Sequence, residues 1–240
     1  MNDVIESVED YLRTIKEHKK RNVKEGNTED FLFRGQVNDL PLVPKIARLK
    51  PHGDLFDVER RLVEEFKRIN PLLLDKTGAL NDWDYLTLGQ QYGLPTRLLD
   101  WSNNALTALW FATDAVLAES MKSEQAIVWV LMAEKVDLEL DTLQKSPFQI
   151  SQTKIFRPRI IKQRINNQSG MFSIHSNESL SQKEAMNEAE HYHKKLLKLK
   201  ISTNSFVDIR SDLNTLGVNA FTIFPELDGL CSFLQWKYFD

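Results

Sequence analysis

Two hundred and forty residues, 42% hydrophobic and 27% charged, can bury a sizeable core and do not describe a disordered chain. A formal net charge of −3 argues against a general nucleic-acid footprint, although Lys and Arg cluster locally at 16–24 and 157–164. The single cysteine, Cys231, excludes an intrachain disulfide and a multi-thiolate zinc site. No run of about 18 apolar residues exists to span a membrane, and the acidic N-terminus is unlike a signal peptide, so a cytoplasmic location with no membrane partner is expected.

Along the chain, Val4, Val8, Tyr11, Leu12 and Ile15 fall at three- and four-residue spacing and predict a helix over 3–22. A polar turn at 25–29 follows, then the strand-like run Phe31-Leu32-Phe33. A helix over 56–70 is stopped by Pro71, and another runs from about 82 to 91, capped by Asn81 or Asp82. Asn103 or Asn104 caps an Ala- and Leu-rich helix at 105–120, and Ala126–Met132 is the clearest buried strand. The remainder reads as a charged helix at 182–196, a strand at 197–201, a helix at 205–216, a last strand at 220–224 and a terminal helix at 230–237. Unequal insertions and the lack of βαβ alternation predict an α+β fold, with a small mixed or antiparallel sheet flanked by several helices. The N-terminal helix would occupy residues 1–25 and one globular unit residues 26–240.

Four segments place polar residues where simple elements should have none, and they hold five of the nine glycines. In Phe33-Arg34-Gly35-Gln36, an arginine at a strand end offers a donor fork for phosphate or carboxylate, or pairs with an internal acid. Gly35 permits close backbone approach. In the stretch Leu88–Asn104, Gln90, Tyr92, Thr96, Arg97 and Asp100 crowd a helix end. Arg97 and Asp100 bracket two leucines and suit either a ligand contact, with Asp100 orienting Arg97, or a buried Arg–Asp clamp that fixes the loop. Arg157 to Phe172 carries arginines and amides that suit a polyanion or a solvated basic loop, with Arg164, Gln168 and Phe172 the positions of interest. Finally, Glu226 and Asp228 follow a strand-like run, as general acid/base candidates or as helix caps.

These segments carry a family resemblance. Phe33-Arg34-Gly35 resembles the motif that names the FRG domain family, and Gln90–Ala112 (QQYGLPTRLLDWSNNALTALWFA) resembles its most characteristic stretch. The resemblance runs on in order through 126–131, 168–172 and 213–230, spanning about residues 30–232. Gln91 stands where family members often carry His, and Ala105 where Pro is usual, so a mechanism resting on that His has no counterpart here. The resemblance implies a fold, a set of positions and a setting beside mobile-element and defence genes, but not a reaction.

Three functions compete. The first is a nucleotide-directed enzyme of bacterial or phage conflict, an ADP-ribosyltransferase-like protein using NAD. In it, Arg34 would bind phosphate or ribose, Tyr92 or Phe172 would hold nicotinamide, and Glu226 or Asp228 would serve as the late acid. The second is a non-catalytic sensor of a nucleotide or a phage protein. The third is a nucleic-acid-binding module or nuclease toxin, supported by the basic cluster at 157–164. The site expected in every case unites Arg34, Gln90, Thr96, Arg97, Asp100, Gln168 and Asp228 in one cleft.

Overall fold

The structure is a computed structural model and describes residues 4–25, 30–69, 79–114, 125–141 and 145–239. In the interior of its sheet lies β4 (Gln125–Ala133), the apolar run expected from the sequence. Val128 and Val130 pack into one core on one face, while Ile127, Trp129 and Leu131 pack into another on the opposite face. A strand covered on both sides reads as a continuous apolar run, without alternation.

Around it the chain builds a mixed sheet of seven strands. β1 (Val4–Ile5), β2 (Asp30–Gln36), β3 (Leu98–Ser102), β5 (Lys154–Phe156), β6 (Gly170–Ile174) and β7 (Leu196–Ser202) join β4 in the order β1-β7-β4-β2-β3-β6-β5. Only β1 and β7 run parallel. The fold is therefore α+β, as expected.

Ten helices are described. They are α1 (Val8–Glu25), α2 (Lys45–Arg48), α3 (Leu55–Ile69), α4 (Asp82–Gln91), α5 (Ala105–Ala112), α6 (Gln163–Asn167), α7 (Asn177–Gln182), α8 (Phe206–Thr215), α9 (Ala220–Ile223) and α10 (Leu227–Phe239). α4 starts at a capping box in which Asn81 and Asp84 each accept from the other's backbone N–H. Asn104 caps α5 by accepting from Leu106 N. α1 is built into the core: Val8, Tyr11 and Ile15 are buried there, and the Tyr11 hydroxyl donates to Ala105 O at 2.9 Å.

The sheet has a seam. β2 and β4 pair over seven residues and β3 and β6 over five, but β2 meets β3 through one pair, Phe33 with Ser102. Beyond Phe33 the two ladders part. Across the opening, Arg34 Nη1 donates to the Asp100 carbonyl at 2.8 Å. α5 packs beneath β2 so closely that a Cβ on Gly35 would lie 1.9 Å from Ala108 O and 2.6 Å from Ala112 N. Gly35 is thus required by strand–helix contact.

Several elements differ from expectation. The segment 182–196 is mostly turns with a short 3-10 turn at His193–Lys195. Tertiary bonds replace the helix ladder there: Met186 N donates to Leu42 O, Asn187 Oδ1 accepts from Leu42 N, and the Tyr192 hydroxyl donates to Thr153 O. Residues 220–223 form helix α9, not a strand, because Asn219 and Thr222 make a reciprocal capping box. The terminal helix α10 begins three residues earlier than expected, at Leu227. β1 takes the first residues of the expected N-terminal helix, and β3, β5 and β6 arise where no strand was expected. The expected turn at 26–29, Pro71 and the far end of the 105–120 helix lie outside the described residues.

Candidate functional site

Where β2 and β3 part, a cavity of about 260 Å³ opens between α4, α5 and α6. Its walls include Arg34 and Gly35 from β2, Gln90 and Gln91 from the end of α4, Asp100 from β3 and Arg164 from α6. Apolar surface comes from Phe33, Trp101 and Phe111.

Asp100 is the carboxylate of this cavity. Gln90 Nε2 donates to its Oδ2 at 2.7 Å, and Arg34 Nη1 lies 3.6 Å from the same oxygen. Thr96 holds the glutamine in turn, its hydroxyl donating to Gln90 Oε1 at 2.5 Å. The Asp100 side chain is about half exposed, 46%, and its Oδ1 meets no partner among the described residues. Arg34 is spent more fully: Nε donates to Gln36 Oε1 at 3.2 Å and Nη1 to the Asp100 carbonyl. Burial pulls its guanidinium below the ordinary arginine range, Asp100 pulls it up, and Arg48 adds to the depression.

Arg164 differs. Its guanidinium lies over the Phe224 ring, 4.3 Å from the centroid, and its Nε is buried with no hydrogen-bond partner. Burial lowers its pKa, and Glu226, Tyr92, Asp100 and Asp228, in that order, pull it back up. This half-buried cation therefore sits in a field of acids with none of them as a direct partner among the described residues.

The other expected site residues divide as follows. Gln168 lines the cavity, its carbonyl accepting from Ser102 Oγ at 2.6 Å. Thr96 is a buried support behind Gln90. Tyr92 is the exposed C-cap of α4, near enough to act on the charge of Arg164. Glu226 and Asp228 are exposed at the start of α10, facing Arg164 electrostatically from outside the cavity wall. Phe172 does not reach the cavity. It is fully buried, stacked on Phe156 at 5.7 Å in a core with Trp83.

Arg97 is a clamp and not a ligand contact, and Asp100 does not orient it. Its Nε donates to Glu59 Oε1 at 2.8 Å, and its Nη2 makes a short ion pair with Glu59 Oε2. Nη1 reaches Asn177 Oδ1 at 3.0 Å and the His175 carbonyl at 3.4 Å. Both ionic side chains are 2% exposed. Arg97 precedes β3 and is met there by Glu59 and Asn177, whereas Asp100 lies within the strand and lines the cavity. The basic cluster at 157–164 is also dispersed, since Arg159 pairs with the buried Asp84 at 2.8 Å and Arg164 turns onto Phe224.

Sequence reasoning passed over Thr107, Ser102 and Phe111, which line the cavity, and Phe224 as the platform for Arg164. The one available signal was Thr107, the sole polar side chain in the apolar run of α5.

An α+β protein with a split mixed sheet and a charged cleft at the split is the class that these features define. The FRG domain family model matches residues 29–121, a stretch that includes Arg34, Gln90, Asp100 and Thr107. Arg164, Gln168, Glu226 and Asp228 lie beyond the matched stretch. No curated protein and no solved structure matches the chain.

Proposed function

We propose that the cleft at the seam binds a nucleotide and that the chain acts on NAD as an ADP-ribosyltransferase-like enzyme. The observation that carries the reading is Arg164: half-buried, Nε unpartnered, and set beside a carboxylate with one free oxygen. Its Nη groups also make no hydrogen bond among the described residues but are not sealed off, so they can meet an anionic oxygen of a ligand. A phosphate is the natural partner, because a guanidinium matches its geometry.

In this reading the phosphate meets Arg164 at the cleft mouth. The free Oδ1 of Asp100 accepts a ribose hydroxyl, while Gln90 and Arg34 hold Oδ2 in place. The same carboxylate faces the positive charge that develops on the ribose as the C1′–N bond breaks. The bonding pair leaves with nicotinamide, and water or a hydroxyl or carboxylate of a target forms the new bond at C1′. Glu226 and Asp228, exposed and acting on the charge of Arg164, would meet an incoming nucleophile. A cavity of about 260 Å³ holds one half of a dinucleotide, with the other half lying along the rim. No helix among the described residues is long and apolar enough to cross a membrane.

The test is incubation of the purified protein with NAD, with and without cell extract, read by mass spectrometry. Nicotinamide release that disappears in Arg164→Met and Asp100→Asn is the expected result. Tight nucleotide binding without product supports the sensor function instead, and absence of both, in a protein shown to be folded, overturns the reading.

A further inference from the structure

Four polar side chains line the buried part of the cleft, and they fall into two pairs. Ser102 and Gln168 are satisfied: Ser102 Oγ donates to the Gln168 carbonyl and accepts from Asn104 N at 3.0 Å, and Gln168 Nε2 reaches Ile223 O at 3.5 Å. Gln91 and Thr107 are not. Gln91 is 8% exposed and Thr107 is 1% exposed, both line the cavity, and neither side chain has a hydrogen-bond partner among the described residues. Neither is among the polar atoms sealed away from solvent, so both groups are reached from the cavity and are left for what occupies it.

The chemistry of the pair says what kind. A glutamine amide offers a donor and an acceptor side by side in one plane, and a threonine hydroxyl offers either. Neither carries charge, so this part of the cleft is not built for phosphate; the cation Arg164 serves the anionic end. Phe33, Trp101 and Phe111 give the same cavity apolar, aromatic surface, which suits a flat ring. Resting on the reading of the cleft as a nucleotide site, we propose that Gln91 and Thr107 form a recognition subsite for a planar group with adjacent donor and acceptor, a nucleobase edge or a ring carboxamide. Gln91 on α4 and Thr107 on α5 hold this subsite on rigid elements, so it is in place before the ligand arrives.

The experiment measures calorimetric affinities of the full chain for ribose 5-phosphate, nicotinamide mononucleotide and adenosine monophosphate. The variants are Thr107→Val, Gln91→Met and Thr107→Ser, with melting temperature as the fold control. The wild type should bind one ring-bearing mononucleotide at least about tenfold more tightly than ribose 5-phosphate, and which one identifies the ring. Thr107→Val and Gln91→Met should each remove about tenfold of that increment, leave ribose 5-phosphate affinity unchanged, and melt close to wild type, since no protein hydrogen bond is lost. Thr107→Ser keeps the hydroxyl and should keep the increment. Variants that weaken all three ligands alike, or none, overturn the subsite while the phosphate-binding reading of the cleft stands. A wild type that binds none of the three overturns both.

Discussion

Arg97 and Arg164 show two fates of a buried arginine. Every nitrogen of Arg97 is committed, two of them to Glu59, and the group is sealed at 2% exposure. Arg164 is only half-buried, its Nε is idle, and the acids around it stand off. A guanidinium whose donors are all taken holds the fold together; one kept short of partners in an open cleft has capacity left for a ligand. Sequence composition treats the two alike, and only the partners separate them.

The largest way to break the comparison is at the clamp. Glu59→Ala leaves Arg97 charged, buried and unpaired, and should cost about 3–5 kcal/mol, enough to lower the melting temperature sharply or prevent folding. If instead the protein melts as wild type does, Arg97 is not the structural member of the pair. Arg164→Met should behave in the opposite way. It should remove nucleotide binding by about a hundredfold while stability changes by about 1 kcal/mol or less, because a lost ring contact is offset by the removal of an idle buried donor. Chemical denaturation beside calorimetry checks both halves.

His175 sharpens the comparison through pH. It is fully buried behind Arg97, between Ser173 Oγ at 3.3 Å and Ser179 Oγ at 3.4 Å. Burial first, then Arg97 and Arg34, push its pKa down to about 3. Between the ordinary value of 6.5 and about 3, the unfolded chain binds a proton that the folded chain refuses. Its contribution to stability is therefore complete above pH 6.5 and is lost as pH falls toward 3, at up to about 1.4 kcal/mol per pH unit. His175→Gln should flatten that slope in urea melts across the window, and an unchanged slope would refute the assignment. The smallest effect is expected at Thr87, whose buried hydroxyl has no partner and lies outside the cavity lining. Thr87→Val should raise stability by about 1 kcal/mol and leave ligand binding unchanged.

The seam itself was hidden in the sequence for a physical reason. β3 reads Leu-Leu-Asp-Trp-Ser, and its Asp100 breaks the apolar run because that side chain opens into the cleft. Residues 182–196 looked helical from their charges, yet Ala185, Met186 and Tyr192 are buried and tied to distant backbone by bonds that no local propensity encodes. The candidate site was legible in part. Arg34, Gln90, Asp100, Arg164 and Gln168 do meet in one cavity, whereas Arg97 and Phe172 face the core and Glu226 and Asp228 are exposed and outside its lining.

What the sequence determined by itself is local: the two-sided strand β4 from its apolar run, α4 and α5 from their Asn caps, and the likeness of residues 29–121 to the FRG domain family from ordered motifs. Which partners Arg97 and Asp100 meet, which arginine is sealed against a carboxylate and where the two ladders part were decided only in three dimensions. Those outcomes depend on partners 38 to 80 residues away in the chain, as Arg97 with Glu59 and with Asn177 shows. Burial and pairing are properties of the assembled neighbours, and a residue's type fixes only what it offers them.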